Sequence, residues 1–186
     1  KEKRWGGSGG GRHTGLCGSG LIDLLGELLR TGRINSCGRL TDDSDRFWLD
    51  AENDIYLTEE DISQLAQAKA ANVAGLHLLH QNYGIDFSDL AVFYLAGGFA
   101  RHIDLDHARR IGLIPDLPDE RIVQVGNAAL EGATLALLSV AAREEIDELV
   151  RRIEHVELET FPEFFHCFTD GAQFVPFQNR ITEASV

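Results

Sequence analysis

The spacing of apolar residues along the chain predicts most of its helices and strands. Leucines and isoleucines recur every three or four positions after residue 20, which predicts a first helix. Ser19 is expected to cap that helix and Gly32 to end it. Two runs that alternate apolar and polar residues, 46–49 and 54–57, then predict a β-hairpin.

A capping-box pattern marks the start of the longest predicted helix. Thr58 is followed three residues later by Asp61, which stands where glutamate or glutamine is more usual. Apolar residues at helical spacing continue from there to 82–84, where an Asn-Tyr-Gly sequence is expected to end the helix.

Two short apolar runs further along are typical of strands buried on both faces of a sheet. They are 90–96 and 121–125, and each is followed at once by glycine, at Gly97 and Gly98 and at Gly126. Because both runs are short and apolar and both are followed at once by glycine, we expect them to be neighbouring strands of one sheet.

The remaining pattern adds helices around these strands. The order of helix, strand and glycine turn predicts an α/β fold with a mixed sheet flanked by helices. The further elements that we expect are helices at 104–112, 128–140, 142–152 and 161–170 and a strand at 153–158.

The two ends of the chain differ from the rest. Residues 1–14 contain a glycine run without the apolar core of a secretory signal, and we expect a flexible linker, with a phosphate-cradling loop as the alternative. The chain contains no methionine, even at position 1, which indicates processing or a piece of a longer protein. We expect the folded part to be 15–178 and a short tail to follow at 179–186.

Composition and charge narrow the range of functions. The chain has 186 residues, 44% of them hydrophobic, which suits a globular domain with a core. Lys and Arg number 17 and Asp and Glu 30, and the net charge of −13 argues against nucleic acid as a partner. No apolar stretch approaches the ~18 uncharged residues of a membrane-spanning helix.

The cysteines argue against a disulfide framework, a structural zinc site or a cluster within the chain. Cys17, Cys37 and Cys167 are an odd number and include no C-x-x-C pair. An iron–sulfur cluster needs about four thiolates, and the chain has three cysteines. Reduced thiols suit a cytoplasmic protein.

The glycine turns are the first candidates for binding chemistry. In open α/β sheets ligands bind beyond the carboxyl ends of the strands, and glycine lets the backbone approach them closely. We expect positive φ at Gly98, and the helix after Gly126 offers unpaired amides to an anion. Glycine used only for turn geometry is the alternative.

An earlier glycine turn lies at Gly18, Ser19 and Gly20. It is either a tight turn that leads into the first helix or a turn whose amides face a phosphate or a second lobe of the protein.

Metal and hydrolytic chemistry find little support in the sequence. His77 and His80 stand three apart in the long predicted helix, and His102 and His107 flank two aspartates in a polar loop. A catalytic zinc needs three converging ligands, so we expect core or solvated histidines and no metal site. Walker-type phosphate loops, nucleophile elbows and kinase motifs are absent, and no catalytic residue is identified.

Four segments in a fixed order carry a family resemblance. They are GLCGSGLIDLLGELLRTGRI, LTEEDISQLAQAKAANVAGLHLL, VFYLAGGFARHIDLDHARRIGLIPDLP and VQVGNAALEGATLAL, and they extend over nearly the whole chain. Together they resemble the reductive activators of corrinoid proteins, which are similar to the actin-like ATPases of the ASKHA superfamily.

The resemblance implies an actin-like, ribonuclease H-like ATPase lobe. Full-length relatives join a [2Fe-2S] ferredoxin domain to two lobes that clasp ATP with Mg²⁺, and ATP drives the reduction of a cob(II)amide to the cob(I)amide state in methyl-transfer proteins. This chain lacks the ferredoxin cysteines and the first-lobe phosphate loop, so it resembles the C-terminal lobe and is expected to be inactive alone. ATP, a corrinoid protein and further copies of the chain are the implied partners.

The resemblance also implies which residues contact the nucleotide. Lys69, in the helix before the first buried strand, is a candidate contact, with an exposed helix lysine as the alternative. The other implied contacts are Gly97, Gly98 and Phe99 in the adenosine loop and Gly126 and Asn127 in the connecting segment.

Two other functions stay open: a docking or dimerisation module for a corrinoid protein, and a sugar or acyl kinase relative.

Overall fold

The fold is taken from a computed structural model, which describes residues 15–98 and 100–177. The predicted linker at 1–14, Phe99 and the predicted tail at 179–186 lie outside the described residues. In chain order the elements are α1 (Gly18–Arg30), β1 (Arg46–Asp50), β2 (Ile55–Thr58), α2 (Glu59–Tyr83), β3 (Phe93–Leu95), α3 (Leu105–Arg110), β4 (Ile122–Gln124), α4 (Ala128–Leu138), α5 (Val140–Val150) and α6 (Phe164–Gly171).

Helix α1 forms as predicted but begins earlier. Its apolar residues recur at helical spacing and are buried on one side, and Gly32 follows its end with a positive φ of 68°. The prediction that Ser19 caps the helix is wrong. Cys17 occupies the N-cap position without a side-chain cap hydrogen bond, and Ser19 lies in the first turn because Gly18 is already helical.

The hairpin and the capping box of the next helix are confirmed. Strands β1 and β2 pair antiparallel, with Trp48 opposite Tyr56. The Thr58 hydroxyl accepts a hydrogen bond from the Asp61 amide, and the Asp61 carboxylate accepts one from the Thr58 amide at 2.9 Å. Helix α2 then runs to Gly84, whose left-handed conformation ends it.

Strands β3 and β4 are neighbours in one sheet, as predicted, and they pair in parallel with Tyr94 opposite Val123. The expectation that they are buried on both faces is wrong, because Tyr94 is 65% exposed and Val123 is exposed beside it. Phe93 and Ile122 face the core, whereas no element among the described residues covers the opposite face. The α/β class is confirmed, with two small two-stranded sheets, one antiparallel and one parallel.

The helices expected in the second half are confirmed as α3 to α6, with ends that differ by a few residues. The strand expected at 153–158 is wrong: that segment is irregular and leads into a 3₁₀ turn at Leu158–Thr160. It finds no strand partner among the described residues, and a single strand cannot satisfy its backbone groups.

The core lies where α1, the hairpin, the start of α2 and α3 meet under the inner face of the parallel strands. Two smaller clusters flank α2 and hold Phe87, Phe177, Leu78 and Cys167. Helices α4 and α5 contribute no buried residue. No helix among the described residues is long and apolar enough to span a membrane. The buried residues of the main cluster are Ile22, Leu24, Leu25, Leu28, Ile34, Leu57, Ile62, Ile103, Ala108, Ile111, Ile114, Leu117, Ile122 and Phe174.

Candidate functional site

The two glycine turns lie side by side at the carboxyl ends of β3 and β4. The hydrogen-bond ladder continues past the strands, since the Val125 amide donates to the Leu95 carbonyl at 2.8 Å. The Gly97 amide then donates to the Gly126 carbonyl at 3.0 Å. The parallel pairing therefore brings both turns to one edge, which is the position where open α/β sheets bind ligands.

The two glycines of the first turn differ in geometry. Gly97 has a φ of 118°, a conformation that side-chain-bearing residues rarely adopt. The expectation of positive φ at Gly98 is wrong, because the positive value lies one residue earlier. A Cβ placed on Gly98 would meet no atom within 4 Å, so the space in front of this backbone is open.

Asn127 begins α4 at the same edge. Its side-chain oxygen accepts a hydrogen bond from the Leu130 amide at 3.1 Å, which caps the helix. The Gly126 carbonyl accepts a second bond from the Ala128 amide at 2.9 Å. The turn is therefore fixed by its own backbone, and the first turn of α4 lies directly beside it.

Arg101 lies at this edge and was missed from the sequence. Its Nη1 is 3.8 Å from the place that a Cβ on Gly126 would take, and the residue is exposed. The Gln124 side chain holds its segment in place, since its Nε2 donates to the carbonyls of Ala100 at 2.8 Å and Ile103 at 3.0 Å. An arginine three residues after a glycine pair was the available signal, since a cation beside open backbone suits an anionic ligand.

Lys69 is buried, so the alternative of an exposed helix lysine is wrong. The side chain is 3% exposed, and its ammonium donates to the Gln173 carbonyl at 2.8 Å and lies 5.6 Å from the centre of the Phe174 ring. Burial lowers the pKa of Lys69 to about 8. These contacts tie α2 to the end of the described chain, and its role as a nucleotide contact stays a prediction.

The earlier glycine turn forms the first turn of α1. A Cβ on Gly20 would touch the Cys17 thiol and Leu16, and the Ser19 hydroxyl lies 3.4 Å from that thiol. The Ser19 hydrogen bond is the main cause that lowers the pKa of the exposed Cys17. Gly18, Ser19 and Gly20 thus form a local turn, and a ligand-facing role for them stays a prediction.

Three of the candidate histidines lie in two separate places. His77 and His80 stack on phenylalanine rings. The His107 ring of α3 faces α1, with Nδ1 3.6 Å from Asp23 and Nε2 3.7 Å from Glu27. Within the described ranges, no group of three or more His, Cys, Asp or Glu side chains is arranged to hold a metal ion.

Comparison with known proteins gives consistent matches. A family model described as the C-terminal domain of RACo, the ASKHA domain, matches residues 2–184. The corrinoid activation enzyme RamQ of Eubacterium limosum is 33% identical, over 86% of this chain and 31% of that protein. The Co(II) methylated amine-specific corrinoid protein reductase of Methanosarcina barkeri is 28% identical, over 82% of this chain and 28% of that protein.

A solved structure agrees with these relatives. The reductive activator for a corrinoid, iron-sulfur protein superposes with a TM-score of 0.78 at 32% identity, over 87% of this chain and 28% of that chain. The chain thus spans about a third of the length of each relative. Because the family model covers nearly the whole sequence, the chain belongs to the family of the C-terminal ASKHA domain of the reductive activators of corrinoid proteins.

Proposed function

We propose that residues 15–178 are the nucleotide-binding C-terminal lobe of an ATP-dependent reductive activator of corrinoid proteins. The observation that supports this most directly is the pair of glycine turns joined by the Gly97–Gly126 hydrogen bond, with open backbone at Gly98. In this proposal the adenosine lies against Gly97 and Gly98, and Arg101 contacts the bound nucleotide from the side.

The proposal assigns the remaining chemistry to other parts of the longer protein. Cys167 is buried, and Cys17 and Cys37 are exposed as free thiols, so these residues do not fit a [2Fe-2S] cluster that needs about four convergent thiolates. Among the described residues, no group of three or more His, Cys, Asp or Glu side chains is arranged to hold a metal ion. We therefore propose that the cluster, the metal and most of the phosphate contacts belong to the rest of the activator, in the cytoplasm, where thiols stay reduced.

A titration of the isotope-labelled chain with ATP tests the site. We expect saturable amide shifts at Gly97, Gly98, Gly126 and Asn127 as ATP rises to ~10 mM, a range that detects even millimolar affinity. Gly98→Val places a branched side chain in the open space, and the apparent affinity should fall at least tenfold, which corresponds to about 1.4 kcal/mol.

Gly132→Val is the matched control for that titration. A Cβ on Gly132 also meets nothing within 4 Å, but the residue lies in α4 beyond its first turn. This variant should bind ATP as the wild type does. Shifts confined to another surface, or an unchanged affinity in Gly98→Val, would exclude the proposed site.

A second candidate function, docking and self-association, is favoured by the α4–α5 surface. Leu137 and Leu138 are 76% and 79% exposed, and the two helices contain no buried residue. Large apolar surfaces of this kind mark interaction sites. We propose that this surface joins two copies of the chain, and that the homo-oligomer acts on a corrinoid protein as the relatives' names indicate.

The oligomeric state tests this second proposal. Leu137→Glu puts a charge into the proposed interface, so sedimentation should show a shift from dimer to monomer. Gln67→Glu adds the same charge at an exposed polar position of α2, outside the proposed interface, and should remain dimeric. A wild-type chain that sediments as a monomer at all concentrations would exclude self-association. A kinase function is not proposed, because the named relatives are corrinoid activation proteins.

A further inference from the structure

The segment that follows α6 crosses three distant parts of the molecule. We call residues 172–177 the C-terminal strap. Phe174 is 1% exposed and sits in the main core, and its amide donates to the Ser36 carbonyl at 2.7 Å. Phe177 is buried in a separate cluster with Phe87 and Val73. The strap therefore fills two apolar sites with side chains from one short, irregular segment.

Helix α2 holds the strap through two titratable side chains. The Lys69 ammonium donates to the Gln173 carbonyl at 2.8 Å. Two turns further along, the His77 ring stacks on Phe177 with centroids 4.3 Å apart and planes 9° from parallel. The strap also passes Gly112, where any Cβ would collide with the Val175 carbonyl. Helix α2, the end of α3 and the loop before β1 are thus connected by the strap.

We propose that the C-terminal strap is a proton-sensitive clasp, which is closed on α2 while His77 is neutral and opens locally when His77 is protonated. This device is independent of the nucleotide site proposed above.

The surroundings of His77 give the direction of the effect. Burial lowers the pKa of His77 below its usual 6.5, the neighbouring His80 lowers it further, and Asp170 of α6 opposes the shift. When the strap opens, the His77 ring of α2 becomes exposed to water. The exposed ring binds a proton more readily than the ring that is covered by the strap. The contribution of His77 to the attachment is therefore fully present above pH ~6.5 and is lost as the pH falls through the lowered pKa.

Protonation of Lys69 also weakens the attachment of the strap, at a higher pH than protonation of His77. Its pKa is lowered by burial, and it forms no ion pair with any residue in the described part of the chain. A neutral amine still donates to the Gln173 carbonyl, whereas the charged form opposes burial. Both anchors hold the strap more firmly as protons are removed, so a falling pH loosens it at two points.

Amide hydrogen exchange of the full 186-residue chain tests the clasp. The reporter is the Phe174 amide, and the reference is Leu25 in the centre of α1. Between pH 7.5 and 5.5 we expect the Phe174 protection factor to fall several-fold, because His77 binds a proton more readily when the strap is open. The Leu25 protection factor should change less than about twofold, because the opening is local.

Two variants assign the effect to His77. His77→Phe keeps an aromatic ring against Phe177 but cannot be protonated, so its Phe174 protection should be independent of pH. His155→Phe makes the same change at an exposed histidine and should retain the wild-type response. In the wild type, the Phe174 protection should fall as the pH drops from about 6.5 to the titration midpoint of the His77 ring, which is followed by its own proton resonance.

Four outcomes would overturn the clasp. They are equal Phe174 protection at both pH values in the wild type, a retained response in His77→Phe, a parallel loss at Leu25 that shows global unfolding, and a Phe174 change that lies outside the pH range between about 6.5 and the His77 midpoint.

Discussion

Two adjacent glycines end β3, and the backbone restricts them differently. Gly97 has positive φ and donates its amide to Gly126, whereas Gly98 has open space in front of it and no positive φ. Sequence alone predicted a special glycine in this pair but assigned it to the wrong position. Which of two neighbours takes the left-handed conformation depends on the pairing of the strands, and no local pattern specifies it.

Substitution by alanine should separate the two positions. We expect Gly97→Ala to lower the free energy of unfolding by about 1–2 kcal/mol, because a Cβ opposes the φ of this residue. Gly98→Ala should change it by less than about 0.5 kcal/mol. Urea unfolding of both variants measures this difference, and equal losses would show that the described turn geometry is wrong.

Because Lys69 is buried, the free energy of unfolding should depend on pH, and the direction of that dependence can be predicted. Burial lowers its pKa from 10.5 to about 8, so between these values the unfolded chain binds more protons than the folded one. Stability contributed by this group therefore rises with pH through that window, on the order of 2–3 kcal/mol.

Comparison with Lys69→Met isolates this contribution. Methionine keeps an unbranched side chain of similar length and has no charge, so the difference in unfolding free energy between the two proteins should change across pH 8–10. Urea denaturation at several pH values measures it. A difference that stays constant across the window would mean that the lysine is solvated in the native state.

At the scale of elements, most signals that act within a few residues were predicted correctly, and the Ser19 cap is the exception. The Thr58–Asp61 capping box and the glycines that end α1 and α2 form as expected, because each depends only on neighbouring backbone groups. The strand expected at 153–158 failed for the opposite reason. An apolar run becomes a strand only when another strand pairs with it, and pairing is a property of the assembled fold.

The capping box should contribute measurably to α2. Thr58→Ala removes the oxygen that accepts from the Asp61 amide, and we expect a loss of about 1 kcal/mol in the free energy of unfolding. Thr134→Ala is the control, since its exposed hydroxyl only bonds to the Leu130 carbonyl within α4. Urea unfolding of both variants measures the two losses. Equal losses in the free energy of unfolding would show that the capping hydroxyl contributes no more than an ordinary hydroxyl within a helix.

At the scale of the whole molecule, two apolar surfaces are exposed, and the sequence pattern predicted burial for the first of them. The outer face of the β3–β4 sheet carries Tyr94 and Val123, and α4 is apolar around most of its circumference without a buried residue. An all-round apolar helix is typical of the interior of a larger structure. The sequence predicted β3, β4 and α4 correctly, but among the described residues these two surfaces stay exposed.

Nucleotide affinity should show the same dependence on a larger structure. One lobe offers only part of the contact surface that two lobes provide, so we expect this chain to bind ATP with a Kd weaker than about 1 mM. Calorimetry of the full-length E. limosum relative serves as the comparison, with a Kd in the micromolar range expected for it. The difference, about 4 kcal/mol, would be the contribution of contacts outside this lobe. Micromolar binding by the present chain would contradict the two-lobe proposal, because Gly97, Gly98, Arg101 and their neighbours would then form a complete site by themselves.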